Sequence, residues 1–261
     1  MAKLHDLFSQ ARRAQVGGGI GFLGKSKPES RPRAAALVVE LARVTPGSAE
    51  AALKAGADGL LFTWDGEDAA VLERLKKEIA STKANNEQVT YGLRITGGWH
   101  KLNRNSLLQI KEQGIQYILL PLTAPARLLV LENRELEKVI SVPMRSGDLY
   151  PLFMRNLSTL EGIAAVHLDF GLSGDIGALS IEQILQYQAV REAVRSPAFI
   201  SIEGELSEYD AYALQTLNVQ AIILTASNIE ETTHQQLKSL REMLEKTFRE
   251  EKVLPPPSIR K

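Results

Sequence analysis

Gly56-Ala57-Asp58-Gly59-Leu60-Leu61-Phe62-Thr63 decides the fold. A residue that tolerates the left-handed conformation ends a helix, and a β-prone apolar run follows at once. The same signal returns at Gly114-Ile115-Gln116, Gly162-Ile163-Ala164 and Asn218-Val219-Gln220. Working outward from these points gives strands at Ala35–Leu41, Gly59–Thr63, Gln88–Ile95, Tyr117–Leu122, Val139–Pro143, Ala164–Phe170, Ala198–Glu205 and Ala221–Thr225. Helical stretches separate them. Alternating strands and helices, repeated eight times in roughly 250 residues, predict an α/β chain folded as a single (β/α)8 barrel.

Residues Lys3 to Gln15 read as an extra helix before the first strand, with Leu4, Leu7, Phe8 and Ala11 at helical spacing. Gly17-Gly18-Gly19 breaks it. The expected organisation is therefore a helix and loop over residues 1–33 covering the barrel base, the barrel over 34–253, and a mobile tail over 254–261, where Pro255-Pro256-Pro257 cannot continue a helix. Helix starts are signalled by Thr45-Pro46, by Ser180 with Gln183 and by Asn228 with Glu231.

Bulk composition excludes several classes. Lys plus Arg and Asp plus Glu both number 31, so the formal net charge is zero. No long-range field draws the chain to nucleic acid or to an acidic membrane. The chain has no cysteine, which removes disulfides, thiol nucleophiles and thiolate metal sites. No apolar run reaches membrane-spanning length and the first residues lack a signal-peptide core, so a cytoplasmic location is expected.

Gly19-Ile20-Gly21-Phe22-Leu23-Gly24-Lys25-Ser26 matches a phosphate-loop pattern in letters. That loop works only between a strand and a helix. Here a helix precedes it and Pro28 and Pro32 follow, so it reads as a Gly-rich connector with a solvated lysine.

Barrels keep their chemistry at the C-terminal ends of the strands, and alternate strand residues face the interior. Glu40 is in step with Ala36 and Val38, and Arg94 with Gly92. His167 and Asp169 share one side of strand six; Ser201, Glu203 and Glu205 share one side of strand seven; Thr225 and Ser227 close strand eight. These groups are expected to meet at one rim. His167, Asp169 and Glu203 are the catalytic candidates, and Arg94, Glu40 and Thr225 the substrate-binding ones. Asp169 and Glu203 could hold a divalent ion (Mg, Mn or Zn) with His167 nearby. The plainer alternatives are a structural ion network joining Arg94 to Glu40 and Glu203, and a hydrogen-bonded core histidine. No lysine falls within the strands as bounded above, which argues against a Schiff-base aldolase. Lys101, in the loop Gly97-Gly98-Trp99-His100-Lys101, is the available substitute; that loop reads either as a lid over the mouth or as ordinary surface. The loops after strands seven and eight, Gly204-Glu205-Leu206-Ser207 and Ala226-Ser227-Asn228, make a poor phosphate cradle.

Several stretches carry a family likeness. Thr45-Pro46-Gly47-Ser48-Ala49-Glu50 with Gly56-Ala57-Asp58-Gly59-Leu60-Leu61 is similar to the opening of the metal-dependent 2-oxo-acid aldolases related to the citrate lyase β chain, the phosphoenolpyruvate-pyruvate barrels. Gly92-Leu93-Arg94-Ile95 resembles the strand carrying their substrate-binding arginine. Gly114–Leu122 resembles their next strand, and Leu172-Ser173-Gly174-Asp175-Ile176-Gly177 the small-residue loop after their sixth. The family's other functional positions differ. This chain has Trp64-Asp65-Gly66 where the family has a histidine, Val142-Pro143-Met144 where it has a metal-binding glutamate, and Gly171 where it has a metal-binding aspartate. Arg94 alone carries over in place. The resemblance implies an aldolase-type barrel and a lyase-like enzyme for a small oxo-acid or similar anionic metabolite, in a chain that could form homo-oligomers. Two alternatives stay open: a catalytically inactive barrel that binds a ligand or a protein, and a phosphate- or flavin-binding barrel enzyme.

Overall fold

The structure is a computed structural model that describes residues 4–12, 32–83, 89–130, 136–144, 150–171, 179–202, 210, 214, 216–226 and 231–253. Eight parallel strands close into a barrel in sequence order: β1 (Ala36–Leu41), β2 (Gly59–Trp64), β3 (Thr90–Ile95), β4 (Tyr117–Pro121), β5 (Glu137–Pro143), β6 (Ile163–Asp169), β7 (Ala198–Ile202) and β8 (Ala221–Ala226). The closing pair is β1 with β8, in register from Ala36↔Ala221 to Leu41↔Ala226. Around the strands run α1 (Leu4–Arg12), α2 (Ser48–Lys54), α3 (Ala69–Lys83), α4 (Arg104–Glu112), α5 (Arg127–Val130), α6 (Tyr150–Arg155), α7 (Ile181–Val194) and α8 (Glu231–Val253). The chain is thus a single (β/α)8 barrel with one helix ahead of its first strand.

The helix ends that set the strand boundaries have the expected backbone: φ is +107° at Gly56, +102° at Gly114, +85° at Gly162 and +45° at Asn218. Strand side chains divide by parity into two cores. Leu37, Val39, Leu60, Phe62, Leu93, Ile118, Ile140, Val166, Ile200 and Ile222 face the helices. Ala36, Val38, Leu61, Tyr117, Leu119, Val139, Ala165, Phe199, Ala221 and Ile223 fill the interior. Leu4, Leu7 and Ala11 of α1 are buried in that interior cluster. They meet it at the N-terminal strand ends: Leu4 N–H donates to Glu137 at 2.8 Å, and Arg33 N–H donates to Ala11 C=O at 2.6 Å. Arg33 in turn pairs with Asp58 through both carboxylate oxygens, at 2.7 and 2.5 Å.

Two sequence expectations change. β5 begins at Glu137, so Lys138 does lie within a strand. It alternates with the interior residue Val139, faces the helix layer and donates to Leu129 C=O at 2.7 Å. Burial pushes its pKa down, yet its amine is outside the barrel interior. The helix after β1 begins at Ser48, not at Pro46. Glu78 of α3 accepts the N–H groups of Gly47 and Ala49 at 2.9 and 3.3 Å, a tertiary cap in place of the local one. Ser180 and Gln183 do form a capping box, as expected. Trp99, in the loop after β3, packs against the outer core, and its carbonyl accepts a hydrogen bond from Arg127.

The Gly19–Ser26 stretch, Glu203, Glu205, the Leu172–Gly177 loop, Ser227, Asn228 and the tail 254–261 lie outside the described residues. No helix among the described residues is long and apolar enough to cross a membrane.

Candidate functional site at the barrel mouth

One interior step above the apolar core, the inner face turns polar. Glu40, Thr63, Arg94, Ser141, His167, Ser201 and Thr225 come from seven strands; β4 supplies Tyr117 and Leu119 to the interior below them. They sort into two networks.

Glu40 is the centre of the first. Arg94 donates to it twice, Nε to Oε1 at 2.5 Å and Nη2 to Oε2 at 2.9 Å. Thr63 Oγ1 donates to Oε1 at 3.0 Å and Thr225 Oγ1 to Oε2 at 3.3 Å. The register makes this meeting geometric, because Glu40 sits opposite Thr225, and Thr63 opposite Arg94. A buried carboxylate loses its hydration, and these four donors replace it. The side chains are 8% exposed for Glu40 and 19% for Arg94, so the arginine is the more open member of the pair. Among the described residues, Arg94 Nη1 has no hydrogen-bond partner.

His167 is the centre of the second. Its Nδ1 is 2.9 Å from Ser141 Oγ and its Nε2 is 2.7 Å from Ser201 Oγ. Ser141 is opposite it on the neighbouring strand. Burial, assisted by the positive charge of Arg94, pushes the His167 pKa down from 6.5 to about 3, so the ring is neutral at ordinary pH. Asp169 follows at the next inward position of β6 and is exposed.

Tyr117 lies beneath both networks. Its ring crosses Gly92 and stacks on Phe199 with centroids 5.7 Å apart. Burial and the Glu40 charge raise its pKa, so its hydroxyl stays protonated.

The structure therefore brings Glu40, Arg94 and Thr225 into direct contact and leaves His167 in a separate pair of serine contacts. Asp169 stands at the rim, and Glu203 is outside the described residues. Sequence reasoning passed over Thr63, Ser141 and Tyr117. Strand parity was a usable signal for all three, but a hydroxyl at an inward position does not announce its partner.

The described residues alone do not make a centre for a divalent ion. Both His167 nitrogens are engaged, and no group of three His, Cys, Asp or Glu side chains among the described residues could hold a metal. A hollow of about 320 Å³ lies outside the strands, between the ends of β4 and β5 and the short α5 and α6. Its walls, including Leu120, Ile140, Phe153 and Met154, are mostly apolar.

The fold and this floor define a (β/α)8 barrel whose polar layer sits at the C-terminal strand ends. Solved structures share that architecture. A phosphoribosyl anthranilate isomerase from Thermus thermophilus aligns over 80% of this chain and 98% of its own, with a TM-score of 0.55 and 14% identity. Mycobacterium tuberculosis tryptophan synthase aligns over 95% of this chain and 99% of the matched chain, with a TM-score of 0.59 and 14% identity. A tryptophan synthase α-subunit from Pyrococcus furiosus covers 84% and 97%, at a TM-score of 0.57 and 10% identity. At such identities the likeness carries the barrel. It gives no support to a place in the citrate lyase-related family. No family model and no curated protein matches the sequence.

Proposed function

We propose that this chain is a barrel enzyme acting on a small carboxylate-bearing metabolite of the oxo-acid kind, bound at the C-terminal mouth. The observation that carries this reading is the Glu40–Arg94 pair. Glu40 takes Nε and Nη2 and so fixes the plane of the guanidinium. No described residue takes the Nη1 donors, and in this reading they meet an anionic oxygen of the ligand. An arginine held this way loses little freedom when ligand arrives. The structural neighbours carry the names of enzymes that act on small molecules, which supports an enzymatic reading.

In this proposal Thr225 lines the mouth beside Arg94. Asp169, exposed one inward step beyond His167, takes the proton that lyase-like chemistry must move. His167, held neutral and with both nitrogens engaged, acts on that step only through its serine partners and not as the base. Glu203 would join Asp169 if a divalent ion (Mg, Mn or Zn) is used; the described residues alone do not make such a centre, and no step depends on it.

One observation favours a second reading. Glu40 is saturated by four donors, which leaves it no lone pair directed at a substrate. A catalytically inactive barrel that binds the same kind of ligand would have this floor. A phosphate-binding variant would draw on residues 203–209 and 227–230, outside the described residues.

The test is calorimetric titration with pyruvate and oxaloacetate, alone and with each of Mg, Mn and Zn. Wild-type protein is expected to bind. Arg94→Lys, which keeps a positive charge beside Glu40 but loses the fixed plane, is expected to bind about tenfold more weakly, a loss of about 1.4 kcal/mol. No binding under any of these conditions overturns the proposal. Binding without turnover of any oxo-acid selects the second reading.

A further inference from the structure

The two serines around His167 are chemically equivalent in sequence but not in their surroundings. A neutral imidazole owns one N–H and one lone pair. It must donate to one serine and accept from the other. The serine that accepts has still to place its own O–H.

That spare O–H cannot be placed equally well at both positions. Ser141 is buried at 6% exposure, and its one side-chain hydrogen bond among the described residues is to His167 Nδ1 at 2.9 Å. A spare donor there would be buried and unpaired, at a cost of about 1–3 kcal/mol. Ser201 is half-buried on the inner face of β7, one strand away, and touches Nε2 at 2.7 Å. Its O–H can turn to whatever occupies the mouth. We infer that Ser141 donates to Nδ1 and locks His167 as the Nε2–H tautomer, so that Ser201 presents its hydroxyl proton to a bound ligand.

This assigns Ser201 a binding role and Ser141 a positioning one. It also sharpens the ligand class. Arg94 and Ser201 both offer donors, so the mouth suits a molecule rich in acceptor oxygens, a carboxylate next to a carbonyl. It is a poor match for an ammonium or amide N–H at the same place. The ligand part rests on the function proposed above; the tautomer does not.

Long-range proton–nitrogen NMR on the full-length, nitrogen-labelled protein reads the tautomer directly. The chain has four histidines, and a His167→Gln spectrum identifies the signal by its loss. An Nε2–H pattern is expected. An Nδ1–H or doubly protonated pattern at pH 7 overturns the inference and leaves the function proposal standing. Ser141→Ala is expected to disturb the pattern, and Ser141→Thr, which keeps the hydroxyl, to retain it; a bystander serine would change neither. Ser201→Ala should weaken pyruvate binding about tenfold and Ser201→Thr should restore it. Unchanged affinity in Ser201→Ala overturns the donor role. If wild-type protein binds no pyruvate, the donor role falls with the proposed function, while the spectrum still decides the tautomer.

Discussion

His167 shows how one side chain ties stability to pH. Folded, it takes a proton only near pH 3; unfolded, it does so near its ordinary 6.5. Between those values the unfolded chain holds more protons, so stability rises with pH. The contribution is complete above the ordinary histidine value and is lost as pH falls toward 3. Urea unfolding at pH 7 and pH 4.5 should therefore show a larger acid loss for wild type than for His167→Gln, by on the order of 2 kcal/mol. Equal losses would mean the ring is not held neutral in the fold. At this scale parity made most of the site legible. Glu40 and Arg94 stand out in sequence because an inward charge late in a strand is costly and rare. Thr63 and Ser141 do not, since hydroxyls on strands are common. Their partners lie on strands that only barrel closure brings beside them.

Elements were legible where the chain must turn. The left-handed residues Gly56, Gly114, Gly162 and Asn218 fixed four helix ends and the strands that follow. Boundaries set by tertiary contact were not. Polar Glu137 and Lys138 disguise the start of β5, and Glu78, distant in sequence, moves the start of α2. Nor does local sequence reveal why β3 carries a glycine. A Cβ on Gly92 would sit 2.1 Å from Cζ of Tyr117, so β3 and β4 fit only because that side chain is missing. Gly92→Ala is expected to lower stability by about 1–3 kcal/mol, and Tyr117→Leu in the same chain to recover part of it, both read from denaturant midpoints. A neutral Gly92→Ala would contradict the close contact.

For the whole molecule, the interior core is built from strands and helix α1 together. Leu7 is 1% exposed and packs with inner residues of several strands. Leu7→Ala should cost about 2–5 kcal/mol in global unfolding, although the residue belongs to no strand–helix unit. A loss confined to local fraying near the N-terminus, seen by hydrogen exchange, would show that α1 is an accessory and not part of the core. Alternation and length sufficed to read closure from the sequence. The depth at which the polar floor begins is set by register between strands, which no single segment encodes.

The seam between β1 and β8 joins the first and last strands, and Glu40 and Thr225 meet across 185 positions of chain. A nascent or truncated polypeptide that lacks the final strand leaves the carboxylate one donor short and the cylinder open along two strand edges. Recognition of the proposed ligand and completion of the fold would then be a single event, so a ligand for this mouth would register as heat resistance of the entire chain and be invisible to any fragment of it.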